Sequence, residues 1–285
     1  MQLTGHRIED LTEADLQRLI DARVVERRDI DYKRETYGGK DADHAEFLAD
    51  ASSFANTLGG DLVIGMEERA GLPISFHPFR GDADAEILRL ETLARTGLQP
   101  RISDLAGRAI PLAGGGCVIV LRIPRSFSAP HRIGRRGKGE HRFWGRTSNG
   151  KYELDVDELR RLFVRAPELA DRIRQFRAGR VAQVVRGDGP VKLLDGPVLL
   201  IHIVPFSSFD LEPQLSIDRV WDDYERFPPP GSAAPQNRVT NFEGVLMTSN
   251  ADETALRQRA YVQVFRNGVV EAVASSLARS FADCL

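Results

Sequence analysis

Two stretches of this chain hold residue types that could work on a phosphodiester. The first runs Glu26-Arg27-Arg28-Asp29-Ile30-Asp31-Tyr32-Lys33. The second begins Phe54-Ala55-Asn56-Thr57-Leu58-Gly59-Gly60, continues through Asp61-Leu62-Val63-Ile64-Gly65 and ends in Met66-Glu67-Glu68. If the two meet, three or four carboxylates and one lysine share a pocket. Carboxylate oxygens suit hard Mg²⁺ or Mn²⁺, and a neighbouring cation suits a phosphate. The chemistry would be attack of metal-activated water on a phosphodiester, with Lys33 holding the phosphate or the developing charge. Glu26, Asp31, Glu67 and Glu68 are the candidate metal ligands, and with Lys33 they form the candidate catalytic set. The competing reading of Glu26, Asp31 and Lys33 is a solvated strand face.

A basic stretch from His131 to Lys151 is the second signal. It carries Arg132, Arg135, Arg136, Lys138, Arg142, Arg146 and Lys151 against Glu140 alone, with Phe143 and Trp144 interleaved. Arginines supply phosphate contacts, and an aromatic between them can stack on a base. Arg132, Arg135, Arg136, Lys138, Arg142, Trp144 and Arg146 are the expected nucleic-acid contacts. The bland alternatives are a solvated hairpin for the charges and burial for the aromatics.

The elements that position these residues follow from pattern. Residues 11–23 read as a short helix with Thr12 as N-cap. Val24 to Lys33 reads as extended, with Ile30 and Tyr32 on one side and Asp31 and Lys33 on the other, away from the core. A helix starts at Asp43, with Phe47, Ala51, Phe54 and Leu58 on its inner face, and Gly59-Gly60 ends it as a left-handed cap. Alternatively, those glycines bring backbone close to a phosphate. Asp61 to Met66 is a strand, residues 82–96 a helix, and Cys117 to Ile123 a strand that stops at Pro124. A helix runs from Asp155 to about Arg177 with a break or kink at Pro167. Later strands are expected at Val198 to Val204 (buried), Phe242 to Met247, Tyr261 to Phe265 and Val269 to Val273, the last two joined by an Asn267-Gly268 turn. A final helix closes the chain. The composition shift near residue 180 divides the chain into residues 1–180 and a smaller domain, 181–285.

Composition bounds the function. The chain has 285 residues, 42% of them hydrophobic and 28% charged, as a soluble globular protein does. Its net charge of −2 excludes a uniformly basic nucleic-acid coat. The two cysteines, Cys117 and Cys284, are too far apart in sequence for metal-ligand spacing, and the expected compartment is a reducing cytoplasm. No apolar run approaches the roughly 20 residues of a membrane span, and no signal core begins the chain. The segment Asn56 to Gly60 lacks the Gly-Lys-Ser/Thr ending of a Walker loop.

The order of these signals resembles the Schlafen-type AlbA-like domain over roughly residues 20–165. An acid stands five residues before a second acid, followed by an aromatic and a lysine. A helix then ends in Phe-Ala-Asn-Thr-x-Gly-Gly, and a strand runs to Gly-x-acid-acid. An Arg146-Thr147-Ser148-Asn149-Gly150-Lys151 element precedes a helix starting Asp157-Glu158-Leu159. The resemblance implies an α/β (α+β) mixed-sheet domain related to Alba-like nucleic-acid-binding proteins; here a second, smaller α/β domain follows it. Bacterial members of the family are often labelled DNA- or ATP-binding regulators. Vertebrate members cut tRNA and rRNA at a metal-dependent three-carboxylate site. Carried over, its first two acids fall on Glu26 and Asp31, its lysine on Lys33, and its third acid on Glu67 or Glu68. Asp31 is one methylene shorter than the glutamate usual there. The expected function is therefore nucleic-acid binding with Mg²⁺- or Mn²⁺-dependent endoribonuclease activity on structured RNA such as tRNA. The alternative is a non-catalytic DNA-, RNA- or ATP-binding regulator. A homodimer would rebuild the two-lobed groove that vertebrate members form within one chain.

Overall fold

A computed structural model describes residues 3–134, 141–209, 215–250 and 257–275. The chain divides into two compact units, Met1–Ala166 and Pro167–Leu285. The division falls inside the long helix rather than at the composition shift near residue 180.

The first unit is built on a four-stranded sheet. Its elements run α1 (Glu13–Asp21), β1 (Ile30–Lys33), α2 (Asp41–Ala55), β2 (Gly59–Ile64), the hairpin β3 (Met66–Arg69) and β4 (Leu72–Phe76), then α3 (Ala83–Gly97). Next come β5 (Leu98–Gln99), β6 (Ala106–Pro111), β7 (Cys117–Pro124), β8 (Arg132–Ile133) and the hairpin β9 (Trp144–Thr147) and β10 (Gly150–Glu153). The sheet order is β1-β2-β7-β6, with β1 and β2 parallel and the other pairs antiparallel. Alternation along β2 and β7 explains why these strands read as continuous apolar runs. Leu62, Ile64, Ile119, Leu121 and Ile123 enter one core with Phe47, Leu48 and Phe54 of α2 and Leu90 and Leu93 of α3. Val63, Val118 and Val120 point the other way, to a second core with Leu16 and Leu19 of α1 and Ile30 and Tyr32 of β1. A strand buried on both faces keeps no polar side. Thr12 precedes α1 and its backbone N–H donates to Asp15 Oδ2 at 2.8 Å, one arm of a capping box.

The Gly-Gly pair does different work from that expected. Helix α2 ends at Ala55, and Gly59 and Gly60 open β2. Gly59 has φ +74°, and a Cβ there would lie 2.5 Å from the Arg125 amide nitrogen and 2.9 Å from the Ile123 carbonyl oxygen. The glycine is required both by its left-handed backbone and by the close approach of β7.

In α4 (Val156–Arg186), Pro167 lies inside an unbroken helix. The second unit holds a five-stranded antiparallel sheet, order β11-β15-β14-β13-β12, made of β11 (Val198–Ile203), β12 (Asn237–Thr240), β13 (Gly244–Thr248), β14 (Ala260–Phe265) and β15 (Val270–Ser275). The short α5 (Ile217–Asp222) places Val220 in the core with Val245, Met247, Val262 and Val264. Strand β11 is the sheet's edge rather than a buried strand, with Val198, Leu199, Ile201 and Ile203 exposed. On the opposite sheet face, buried Glu271 accepts from Arg180 Nε at 2.9 Å, His202 Nε2 at 2.8 Å and the Tyr261 hydroxyl at 2.8 Å. The expected final helix lies outside the described residues. No helix among the described residues is long and apolar enough to cross a membrane.

Gly59→Ala should therefore destabilise the first unit by about 1–3 kcal/mol, from left-handed strain plus the clash with β7. Chemical denaturation of wild type and variant measures it.

Candidate functional site

Strand β1 is an edge strand, yet its polar face is not solvated. Ile30 and Tyr32 point into the α1-side core, which turns Asp31 and Lys33 towards α2. There they are covered. Asp31 is 6% exposed, held by the guanidinium of Arg146 on β9 and by Lys33 Nζ at 2.6 Å. Lys33 also reaches Asp50 Oδ2 of α2 at 3.6 Å. Asp50 is 1% exposed and takes Lys151 Nζ of β10 at 2.9 Å, the Tyr37 hydroxyl at 2.7 Å and Arg146 NH1 at 3.9 Å. Lys151 also pairs with Glu46 at 2.5 Å. Arg146 is completed by the Arg27 carbonyl at 3.3 Å and by the Phe54 ring, whose centroid lies 4.4 Å from its guanidinium carbon.

The charges of this cluster close on themselves. Asp31, Asp50 and Glu46 face Lys33, Arg146 and Lys151, three against three. Burial alone would raise the Asp31 carboxyl; Arg146 and Lys33 outweigh it and hold it below the ordinary range. Burial would lower the Lys33 amine; Asp50 and Asp31 raise it instead. Lys33 therefore stays charged and cannot serve as a base. The Tyr37 phenol is pushed well up by burial and by Asp50.

The other predicted acids lie beside this cluster. Glu26 Oε1 accepts from the Tyr32 amide at 2.8 Å. Burial raises its carboxyl above the ordinary range, and the charges of Asp31 and Glu68 raise it further. Glu68 Oε2 accepts from the Gly71 amide at 2.7 Å, next to the Gly71 carbonyl that receives the Glu26 amide. Glu67 turns the other way, to Arg34 Nε at 3.2 Å. The fold thus brings Glu26, Asp31, Lys33 and Glu68 into one neighbourhood and leaves Glu67 outside it. Their oxygens do not converge: Asp31 is held by two cations, and Glu26 and Glu68 each accept from a backbone amide. Among the described residues, no three His, Cys, Asp or Glu side chains gather as a metal shell.

The basic stretch is split by burial. Arg146 is 4% exposed, an internal ion-pair partner rather than a surface contact. Trp144 is half-buried and packs against the α2–α3 core with its indole nitrogen covered. Arg132 is half-buried and donates to Gln99 Oε1 at 2.9 Å. Arg142 is exposed and pairs with Glu153 at 3.2 Å. Arg135, Arg136 and Lys138 lie outside the described residues.

Four residues that the sequence reading did not assign to this site organise it. Asp50, Tyr37 and Lys151 belong to the cluster. Asn56 braces its rim: its Nδ2 donates to the His131 carbonyl at 3.0 Å and the Trp144 carbonyl at 2.9 Å, and its Oδ1 accepts from the His131 amide at 2.7 Å. An aspartate on the inner face of an otherwise apolar helix was the available signal for Asp50.

The family model described as Schlafen, AlbA_2 matches residues 26–155. No curated protein matches the chain. Among solved structures, the DIP2311 protein of Corynebacterium diphtheriae is 16% identical at a TM-score of 0.36, over 53% of this chain and 28% of that one. The N-terminal domain of a RecG-related protein from Nitrosomonas europaea, described as an ATP-dependent DNA helicase relative, is 17% identical at a TM-score of 0.37, over 51% of this chain and 93% of that one. The chain thus spans under a third of the Corynebacterium protein's length.

Asp31→Asn and Glu26→Gln should act in opposite directions. Removing the Asp31 charge leaves Arg146 buried and uncompensated, a loss of about 3–5 kcal/mol. Glu26→Gln keeps the acceptor for Tyr32 and removes a crowded negative charge, so it should raise the melting temperature at neutral pH. Asp31 has a depressed folded pKa, so its contribution is present above its unfolded pKa of about 3.9 and is lost as pH falls through the folded value. The raised pKa of Glu26 gives the reverse: its penalty is relieved as pH falls. Thermal melts of both variants across pH 3–7, a range set around ordinary carboxylate values, test this.

Proposed function

The chain carries a Schlafen AlbA_2 domain over residues 26–155, and from that premise we propose that its first unit binds nucleic acid, RNA foremost, without cutting it. The family points to nucleic acid as the partner. The observation behind the non-cutting reading is the closed cluster, in which each carboxylate is answered by a cation of the same chain. Such a cluster commits its own charges to one another, so none of Asp31, Asp50, Lys33 or Arg146 is left for a metal ion or a phosphate. Binding then falls to the basic residues outside it, Arg132 and Arg142 among those described. The Arg142–Glu153 pair is exposed on both sides, so little is lost when a phosphate replaces the glutamate. Arg135, Arg136 and Lys138 extend this set in sequence.

A second reading is the Mg²⁺- or Mn²⁺-dependent endoribonuclease acting on structured RNA such as tRNA. One observation favours it: Glu26, Asp31 and Glu68 are near enough for their charges to raise the Glu26 carboxyl. It requires Asp31 to release Arg146. A homodimer, which would double the basic surface, belongs to either reading.

Labelled tRNA and a single-stranded DNA, titrated with protein at several salt concentrations, test the proposal. Binding should weaken linearly in log salt, and Arg132→Ala and Arg142→Ala should each reduce the slope by about 0.7 on a single strand. The RNA should stay intact in Mg²⁺, Mn²⁺ or EDTA. Metal-dependent cutting that disappears in Glu26→Ala and Asp31→Asn would overturn the non-cutting reading and establish the nuclease.

A further inference from the structure

A cavity of about 250 Å³ opens beyond the C-terminal ends of β1 and β2, its lining including Arg34, Glu35, Gly65, His77, Phe79 and Arg80. β1 and β2 are the parallel pair of their sheet, so both strands end on the side where this cavity opens. Arg34 directly follows β1 and Gly65 directly follows β2, so the strand ends themselves place the lining.

The charge here differs in kind from that of the Asp31 cluster. Arg80 is exposed and makes no hydrogen bond or ion pair with any described residue. Arg34 is 57% exposed and meets Glu67 through Nε, which leaves the rest of a five-donor fork. His77 adds an imidazole. The acids nearby are largely spent or solvated. Glu35 is 75% exposed and lies 3.9 Å from His77, and Glu86 takes the Thr36 hydroxyl and Arg89. One wall is apolar: Phe79 packs against the α2–α3 core beside fully buried Ile64. Two arginines and a half-buried phenylalanine lining one cavity suit a phosphate joined to a flat or sugar-like group. The volume lies just below the usual range for ligand pockets and accommodates one small unit rather than a run of bases.

We infer that this pocket takes a single phosphorylated nucleotide unit, its phosphate on Arg34 and Arg80 and its sugar or base on Phe79. The unit is either a free nucleoside monophosphate or the phosphate-bearing end nucleotide of an RNA. The inference deepens the nucleic-acid reading and rests on it for the second source.

The test uses the full chain, AMP, and one RNA oligomer carrying a 5′-phosphate, a 3′-phosphate or neither. Arg80→Gln removes a side chain with no partner among the described residues, so its melting temperature should match wild type; Arg34→Gln is the second variant. A terminal phosphate should tighten wild-type binding about tenfold or more, and Arg80→Gln should abolish that gain while leaving the unphosphorylated oligomer unaffected. AMP binding that Arg80→Gln abolishes, with no effect of a terminal phosphate, supports the pocket and assigns it the free nucleotide. AMP binding of that kind with no oligomer binding retains the pocket and removes the nucleic-acid reading. If the unphosphorylated oligomer binds, but neither AMP nor a terminal phosphate distinguishes wild type from the variants, the pocket is overturned and the nucleic-acid reading stands.

Discussion

The first unit depends on burying the Asp31–Arg146 ion pair. One partner sits on edge strand β1 and the other on a hairpin more than a hundred residues later. Water would separate them at little cost; the interior cannot, because either charge left alone there is strongly unfavourable. The pair therefore specifies more than it stabilises. β1 must present Asp31 where the β9–β10 hairpin delivers Arg146, and α2 must bring Asp50 between Lys33 and Lys151. The Phe54 ring under the guanidinium and the Arg27 carbonyl beside it complete a site that a lysine could not fill, since it lacks the flat fork.

That dependence reorders the functional residues. Asp31, Lys33 and Arg146 are the most arresting residues in the sequence, and in the fold they spend their charges on one another. Residues that attract less notice carry charge of another kind: Arg34 after β1 meets Glu67 through Nε, and Arg80 after β4 is exposed with no ion pair to any described residue. A cluster of charged residues in sequence shows where charge exists; only its partners in space show whether any is left over.

Much of the fold was legible. β7 was readable because its apolar run is bounded by a proline, and α1 because Thr12 and Asp15 form a cap. The β14–β15 hairpin was readable from Asn267-Gly268. The failures share a cause. Period-2 alternation placed Asp31 and Lys33 on the face away from the apolar residues, and that is correct; it could not reveal that α2 and a distant hairpin cover this face. Arg146 reads as a surface residue because its covering partners, Asp31, Asp50 and Phe54, lie about ninety or more positions away. β11 read as buried because an apolar strand looks alike at a sheet's centre and at its edge. The neighbourhood of Glu26, Asp31, Lys33 and Glu68 was foreseeable from order in the chain, whereas the occupancy of each oxygen was not.

Asn56 has a bearing on what this domain can change over time. One side-chain amide grips the backbone at His131 and at Trp144 and so fixes both ends of the segment between them. Once its ends are held, each doubling of such a segment's length costs only about 0.6 kcal/mol in closure entropy. Exchanges at the exposed basic positions between those two anchors are therefore cheap, while Ile133, buried and paired with β5, is held as firmly as the anchors and the charge cluster. The domain thus sets positions that must be kept beside exposed positions that can vary, and a single asparagine marks the border.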